Sequence, residues 1–332
     1  MAAPSSRSRQ VPFLVGVVLI LAALPVGWFV FLREPPATPP VVAPAPAPAP
    51  VMAAAEPVAE QKVDLELSTF EGTVDVWRGE GGKWLPAKKG MALIPSDVVR
   101  TGDGSYAVLV NGETFEVRME AGTMVSVGEL TSSLSKFLLD NGSATATVRG
   151  GKRHTFELKA GGRDKDEVVA STDNGTFTMN NDKGTVRVGA REGQVKLSGK
   201  DKDRFVIVRA GQESIVRQGD NPTAPTPLPK SLLLNVGWPK NQLRERKLLV
   251  TGQTDPGNRV EVNGVVALPD EAGRFTTTVV LKEGSNDVKV SARRVGGLVE
   301  TSQGTVQVDT TLPPIGVDPK LLWEETTGGA PP

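Results

Sequence analysis

The chain of 332 residues has no cysteine and only one histidine. Without cysteine it can form neither disulfides nor thiolate metal sites. Histidine is the side chain that most often acts as a general base or a metal ligand, and it is nearly absent here. Basic and acidic residues number 38 each, so no net positive field favours nucleic acid. The composition therefore argues against redox, metal-dependent and nucleic-acid-binding functions.

An uncharged run of 22 residues, 11–32, lies near the start of the chain. As a helix it would be about 33 Å long, enough to cross a hydrocarbon core of about 30 Å. A cleaved secretory signal is the alternative, but its apolar part is usually about 7 to 15 residues and ends at small residues. This run ends in Trp28, Phe29, Phe31 and Leu32. We therefore expect an uncleaved transmembrane helix over residues 11–32.

The basic residues beside this run predict its orientation. Arg7 and Arg9 precede it, and Arg33 alone closely follows it. Since Lys and Arg are retained on the cytoplasmic side of a membrane, residues 1–10 are expected to form a short cytoplasmic arm. Everything after Arg33 is then expected outside the cytoplasm.

Two proline-rich stretches predict linkers. Residues 33–61 contain an alternating Pro/Ala tract, and residues 220–231 read DNPTAPTPLPKS. Repeated proline favours an extended polyproline conformation over helix or sheet. The linkers divide the outer part into a module at 62–219 and a second at 232–312. Residues 313–332 are expected to be a flexible tail.

Short runs of alternating apolar residues fill both modules. Examples are GTVDVW at 72–77, YAVLV at 106–110, ETFEV at 113–117, GTVRV at 184–188 and QVKL at 194–197. A period of two in β-branched residues is typical of strands with one buried face. Asn-Gly pairs at 111, 141, 174 and 263 favour tight hairpin turns. The sequence therefore predicts an all-β ectodomain behind a single transmembrane helix.

The first module carries a series of ordered motifs: Gly72-x-Val74-x-Val76, Trp84, Gly90, Asp97-Val98-Val99-Arg100-Thr101-Gly102, TFTMNNDKGTVRVGAREGQVKL at 176–197 and VIVRAGQESIV at 206–216. In these motifs it resembles the FecR domain of bacterial envelope proteins. Two departures fall at turns: Ser96, where the family usually has Gly, and Asn111-Gly112-Glu113, where Asp-Gly-Ser is commoner. The resemblance implies a β-rich FecR-like domain.

We expect the residues of these motifs to act as scaffold and not to contact a ligand. Arg100 is expected to pair with Asp97 across a corner. Side chains expected to point inward are Val74, Val76, Val108 and Val110.

The second module has its own ordered motifs: Thr254-Asp255-Pro256-Gly257, Val262-Asn263-Gly264, Gly273-x-Phe275, Leu281-x-Glu283-Gly284-x-Asn286 and VQVDTTLPP at 306–314. In these motifs it resembles bacterial immunoglobulin-like domains. Strands at this spacing suit a seven-stranded β-sandwich. The resemblance implies the fold but no ligand, because such domains are commonly spacers.

Residues with catalytic potential are sparse. His154 has no second histidine and no nucleophile in a recognisable motif near it, so we interpret it as a turn or edge residue. The acidic residues fall mainly in polar loops, where little would shift their pKa toward catalytic use. We expect a protein that is not an enzyme and has no cofactor or metal site.

A cluster of cations is the strongest sequence hint of a partner. It comprises Arg149, Lys152, Arg153, Lys159 and Arg163. On one face they would form a patch for an anionic glycan, cell-wall carboxylates or lipid headgroups. The alternative is a solvated hairpin in which Lys and Arg prevent strand edges from pairing.

Three functions follow from these features. In the first, the protein is a non-enzymatic, membrane-anchored envelope protein of the bacterial inner membrane, whose periplasmic domains bind an envelope protein or cell-wall glycan or act as scaffold. In the second, it is a FecR-type transmembrane regulator that acts through a partner protein, because residues 1–10 have no apolar period with which to contact a sigma factor. In the third, it is a glycan-binding accessory protein. We expect no nucleic-acid partner.

Overall fold

The computed structural model describes residues 64–311, except for residues 80, 150, 152, 153 and 162–166. These residues form 23 strands and no α-helix. The all-β prediction is therefore confirmed for the described part of the chain. The predicted cytoplasmic arm, membrane span, first linker and C-terminal tail all lie outside the described residues.

The first sixteen strands form one hydrogen-bonded network, called here the first module. They are β1 (Leu65–Glu71), β2 (Val74–Arg78), β3 (Lys83–Pro86), β4 (Met91–Leu93), β5 (Val98–Thr101), β6 (Tyr106–Asn111), β7 (Phe115–Met119), β8 (Met124–Leu130), β9 (Leu134–Val148), β10 (Thr155–Ala160), β11 (Val168–Thr172), β12 (Gly175–Asp182), β13 (Thr185–Ser198), β14 (Phe205–Arg209), β15 (Gln212–Val216) and β16 (Thr226–Pro227). Neighbouring strands are antiparallel except β9 and β10, which are parallel.

Two long strands, β9 and β13, join the two sheets of this network. The first half of β9 pairs with β8 and β10, and its second half pairs with β7 and β12. Likewise, β13 pairs with β12 and β15 through its first half and with β11 and β14 through its second. Each strand thus passes from one sheet into the other.

Gly142 lies where β9 changes sheet. Phe137 and Leu139 are buried before it and Ala144 and Ala146 after it, so the buried positions change from odd to even numbers. The backbone has a φ of 102° at Gly142, and a Cβ there would lie 2.6 Å from Thr123 Cα. The hairpin turn predicted at Asn141-Gly142 is therefore wrong, because the glycine forms a bulge inside a continuous strand.

Other Asn-Gly pairs do form turns. Asn263 and Gly264 have φ values of 47° and 86°, the pair of positive angles that a tight hairpin requires. Gly112 has a φ of 45° between β6 and β7. These two predicted hairpins are confirmed.

Four phenylalanines form the centre of the first module's core. Phe115, Phe137, Phe156 and Phe177 are at most 1% exposed. The Phe156 ring centroid lies 5.2 Å from that of Phe115 and 5.4 Å from that of Phe137. Such offset and tilted contacts add to the stabilisation that comes from burying apolar area.

Part of the predicted packing is wrong. Val74, Val76 and Val108 are buried as expected, but Val110 is only half buried. Ala107 and Leu109 are the fully buried side chains of β6. The strand has apolar residues at four consecutive positions, so its sequence did not specify which side faces the core.

The expected pair between Asp97 and Arg100 is also absent. Arg100 lies on β5 and its Nη2 donates to Asp75 Oδ2 on β2 at 2.9 Å. Asp97 is fully buried and accepts from Arg78 Nη1 at 2.5 Å. Both ion pairs join segments far apart in sequence.

The remaining strands, called here the second module, form two sheets of three and four strands. They are β17 (Leu234–Gly237), β18 (Lys247–Thr254), β19 (Arg259–Val262), β20 (Val265–Ala267), β21 (Arg274–Val280), β22 (Gly284–Arg293) and β23 (Val299–Val308). The order is β17-β18-β21 in one sheet and β20-β19-β22-β23 in the other. A separate apolar core that includes Val250, Val260, Phe275 and Val290 lies within this module.

The segment predicted as the second linker, residues 220–231, runs along the first module. Its strand β16 pairs with β15, and Leu228 N donates to Gly211 O at 2.8 Å. Thr223 also contacts β15, where its Oγ1 accepts from Ile215 N. Backbone hydrogen bonds thus hold this proline-rich segment against β15.

Truncating the core should destabilise the first module. We expect Phe156→Ala to lower the free energy of unfolding by about 3–5 kcal/mol, because a buried ring is replaced by a cavity. Phe205→Ala is the matched control, since that ring is 50% exposed. It should cost less than about 1 kcal/mol. Equal losses in chemical denaturation would contradict the position of this core.

Candidate functional site

The predicted cationic patch is only partly covered by the structure. Arg149 is exposed after β9, and Lys159 pairs with Glu167 Oε2 at 3.1 Å. Lys152, Arg153 and Arg163 lie outside the described residues. The patch remains a prediction, and Glu167 already offsets one of its charges.

The candidate site lies at the junction between the two modules, where the start of β19 contacts the end of β12. Arg259 on β19 is 3% exposed and its Nη1 donates to Asp182 Oδ1 at 3.1 Å. Its Nη2 donates to Ala121 O at 2.7 Å. A buried guanidinium of the second module is thus held by a carboxylate and a carbonyl of the first.

A second arginine crosses the same junction. Arg294 donates to both carboxylate oxygens of Glu213, through Nε at 3.0 Å and Nη2 at 2.5 Å. Its Nη1 donates to Asn258 Oδ1 at 3.1 Å. The side chains of Arg294 and Glu213 are 12% and 6% exposed. This two-point geometry is the strongest kind of side-chain ion pair.

Close backbone contacts complete the junction. Gly104 N donates to Gly264 O at 2.9 Å, so the β19–β20 turn contacts the first module directly. Val295 is fully buried, and a Cβ at Gly189 on β13 would lie 2.9 Å from its Cβ. A larger side chain at Gly189 or Gly264 would push the modules apart.

Carboxyl groups at the junction carry a desolvation cost. Burial raises the pKa of Asp182, and Arg259, Arg187 and Lys183 lower it in part. Burial likewise raises the pKa of Glu261, with opposing attraction from Arg293. The junction therefore contains charges that water would stabilise better than the protein does.

A cleft of about 600 Å³ opens beside this junction. Lys183, Arg187 and Arg217 of the first module line one side, and Asp270 and Glu271 of the second module line the other. Both modules are needed to form it.

His154 lies at a turn, as interpreted from the sequence, since its backbone N–H donates to Gly151 O at 3.1 Å, but its side chain is buried. It is 4% exposed, and its Nδ1 lies 3.1 Å from Ser132 O. Its ring stacks on Phe115 with centroids 5.9 Å apart. The imidazole therefore belongs to the aromatic core of the first module.

The described residues hold no group of three His, Asp or Glu side chains arranged for a metal ion. They also include no helix long and apolar enough to cross a bilayer, and the predicted span at 11–32 lies outside them.

Sequence reasoning missed the junction. Arg259 is the first residue of β19, a strand whose valines face the core of the second module. Arg294 lies two residues before the Gly296-Gly297 turn. The one available signal was Arg259 itself, a charge placed directly before a buried β-strand. Its partner Asp182 is 77 residues earlier, a separation that no local pattern reports.

Comparison with known proteins gives limited information. No protein-family model matches the chain, and no curated protein matches it. Two crystal structures of a candidate anti-sigma factor from Parabacteroides distasonis are similar at 14% and 15% identity, each with a TM-score of 0.33. Each match covers 39% of this chain and 59% of that chain. A polysaccharide lyase is similar at 9% identity with a TM-score of 0.18, over 75% of this chain and 40% of that chain. Likenesses of this size establish neither family nor function, and the FecR and immunoglobulin-like resemblances stay predictions.

Removing one junction arginine should be costly. We expect Arg294→Ala to lower the free energy of unfolding by about 3–5 kcal/mol, because Glu213 would stay buried without its cation. Arg204→Ala is the control, since Arg204 and Asp201 form a pair at 76% and 43% exposure. It should cost about 1 kcal/mol or less. Similar losses for both variants would contradict a buried junction pair.

Replacing the carboxyl group of Glu261 with an amide should instead raise the free energy of unfolding. Its raised pKa means that the folded state holds the proton more tightly, so its contribution to stability falls as pH rises through the folded pKa. Glu261→Gln has no titrating group at this position, so its free energy of unfolding does not fall in this way. In denaturation experiments from pH 4 to 7, the variant should gain stability over the unaltered chain as pH rises.

Glu300→Gln is the control for the loss of one negative charge, because Glu300 is exposed on β23. A Glu261→Gln variant less stable than the unaltered chain at pH 7 would show that attraction to Arg293 outweighs burial.

Proposed function

We propose that this protein is a membrane-anchored, non-enzymatic component of the bacterial cell envelope. In this proposal its two β modules act as a single scaffold that binds an envelope partner in the periplasm. The observation that carries the proposal is the junction, where Arg259 and Arg294 are both buried against carboxylates of the other module. Modules joined in this way present their surfaces at a fixed angle, as a scaffold requires.

The proposed location rests on the sequence. The apolar run at 11–32 is long enough to span a bilayer, and Arg7 and Arg9 precede it. The Pro/Ala tract within 33–61 would then carry the modules away from the inner membrane. The FecR-like and immunoglobulin-like motifs are compatible with this arrangement.

An exposed face of the second module supports a protein as the partner. Leu249 on β18 and Val280 on β21 are 60% and 78% exposed. Leu249 is opposite Thr278, which makes Val280 its diagonal neighbour on the same outward face. Thr276 shares that face by alternation along β21. Aliphatic and hydroxyl groups on a flat sheet suit burial against another protein surface.

Crosslinking in intact envelopes tests the proposal. Full-length protein should recover a defined envelope protein, and Leu249→Glu with Val280→Glu should abolish its recovery, because charge would be buried in the interface. Leu85→Glu is the control, since Leu85 is also exposed, at 42%, but lies in the first module. Equal recovery by all forms would contradict the assigned surface, and recovery of no protein would contradict the function.

Replacing residues 1–10 distinguishes the proposal from the alternative of a transmembrane regulator. Met1–Gln10 can be replaced by an unrelated sequence that keeps two arginines, so that orientation is preserved. Under the proposal, membrane insertion and partner recovery stay unchanged. Loss of function with insertion preserved would instead favour signalling through these residues.

A further inference from the structure

Arg187 is a half-buried cation without an ion-pair partner in the described part of the chain. It lies on β13, at the cleft between the modules. Among the described residues its guanidinium donates no hydrogen bond and has no carboxylate within ion-pair distance. Even partial burial of a cation without an acceptor is unfavourable, because the charge loses part of its hydration and gains no partner.

The acids that face Arg187 are already occupied. Asp182 accepts from Arg259, and Glu213 accepts two hydrogen bonds from Arg294. Of the three arginines Arg187, Arg259 and Arg294, only the last two have a carboxylate partner. Burial lowers the pKa of Arg187 and repulsion from Arg294 adds to the effect, while attraction to Glu213 and Asp182 opposes it. The local charge balance favours an added anion.

The guanidinium of Arg187 lies against the second module. A Cβ added at Gly257 would overlap Arg187 Cζ, so the end of the side chain packs on the glycine backbone. The second module thereby limits the positions open to this guanidinium.

Other charges along the cleft agree with an anion site. Lys183 and Arg217 line the same side and are exposed, and neither side chain has an ion-pair partner among the described residues. On the opposite side, Asp270 is engaged by Arg274 Nε at 3.0 Å and by two backbone N–H groups. Glu271 is the one lining acid without such a partner in the described structure, and it is exposed.

We propose that the cleft binds an anionic group of a ligand, a carboxylate or a phosphate, with Arg187 as its main donor and Lys183 and Arg217 as supporting cations. Guanidinium groups are well suited to both anions because they donate two parallel hydrogen bonds. This site goes beyond the proposed scaffold function, which requires no small anion. Failure of the site would leave the partner-recovery experiment unaffected.

Calorimetric titration of the full-length protein in detergent micelles tests the proposal. The probes are inorganic phosphate and citrate, each at constant ionic strength against chloride. We expect saturable binding of at least one of them. Phosphate alone would indicate a phosphate-bearing ligand, and citrate alone a carboxylate-bearing one. Saturable binding of neither would overturn the proposal.

Two variants test whether Arg187 is the residue that binds the anion. Arg187→Gln should weaken it by about tenfold or more, as expected for loss of a charged hydrogen-bond donor. Arg191→Gln is the matched control on the same strand, since Arg191 is exposed and does not line the cleft. Equal weakening by both variants would reduce the effect to net charge and overturn the site.

A stability measurement separates binding from structure. Because Arg187 has no ion-pair partner, Arg187→Gln without added anion should keep the melting temperature of the unaltered protein or raise it. A clear fall in melting temperature would show that Arg187 is a structural cation, and the proposal would fail.

Discussion

Burial of two arginines between the modules is the constraint on which the arrangement depends. A guanidinium removed from water requires an anionic partner and acceptors for its remaining donors. Arg259 pairs with Asp182 and donates to Ala121 O, while its buried Nε has no acceptor among the described residues; Arg294 has Glu213 and Asn258. These contacts are directional, so they specify one orientation of the modules. Their net stabilisation is smaller than their number implies, because each charge also loses its hydration.

The architecture of the first module places the acids that the junction needs. Asp182 ends β12, and Glu213 lies on β15; both strands pair with β13. β13 also carries Gly189, which admits Val295, and Arg187, which lines the cleft. A strand shared by two sheets is held on both sides, which makes it a firm base for an interface. The same packing that joins the modules thus creates the cationic cleft beside them.

Local features of the fold were predictable from sequence, and non-local ones were not. Alternation predicted the strands around Val74 and Val76, and Asn263-Gly264 predicted a hairpin. The hairpin predicted at Asn141-Gly142 was wrong because a glycine with positive φ fits a β-bulge as well as a hairpin turn. The close contact of Gly142 with Thr123, which is distant in sequence, is visible only in the structure. Of the candidate site, the sequence indicated an anion patch near Arg149, whereas the structure places a partnerless arginine at Arg187. The carboxylates that leave Arg187 unpaired are engaged by residues about 80 positions away, and no periodicity encodes that.

The central claim is that the buried pairs hold both modules as one body. The chain has no cysteine, so spin labels can be placed uniquely at Asp203→Cys and Ser285→Cys, two exposed positions in different modules. Double electron–electron resonance should give one narrow distance distribution. It should broaden when Arg259→Met and Arg294→Met are combined. A broad distribution in the unaltered junction, or no change in the double variant, would contradict the claim.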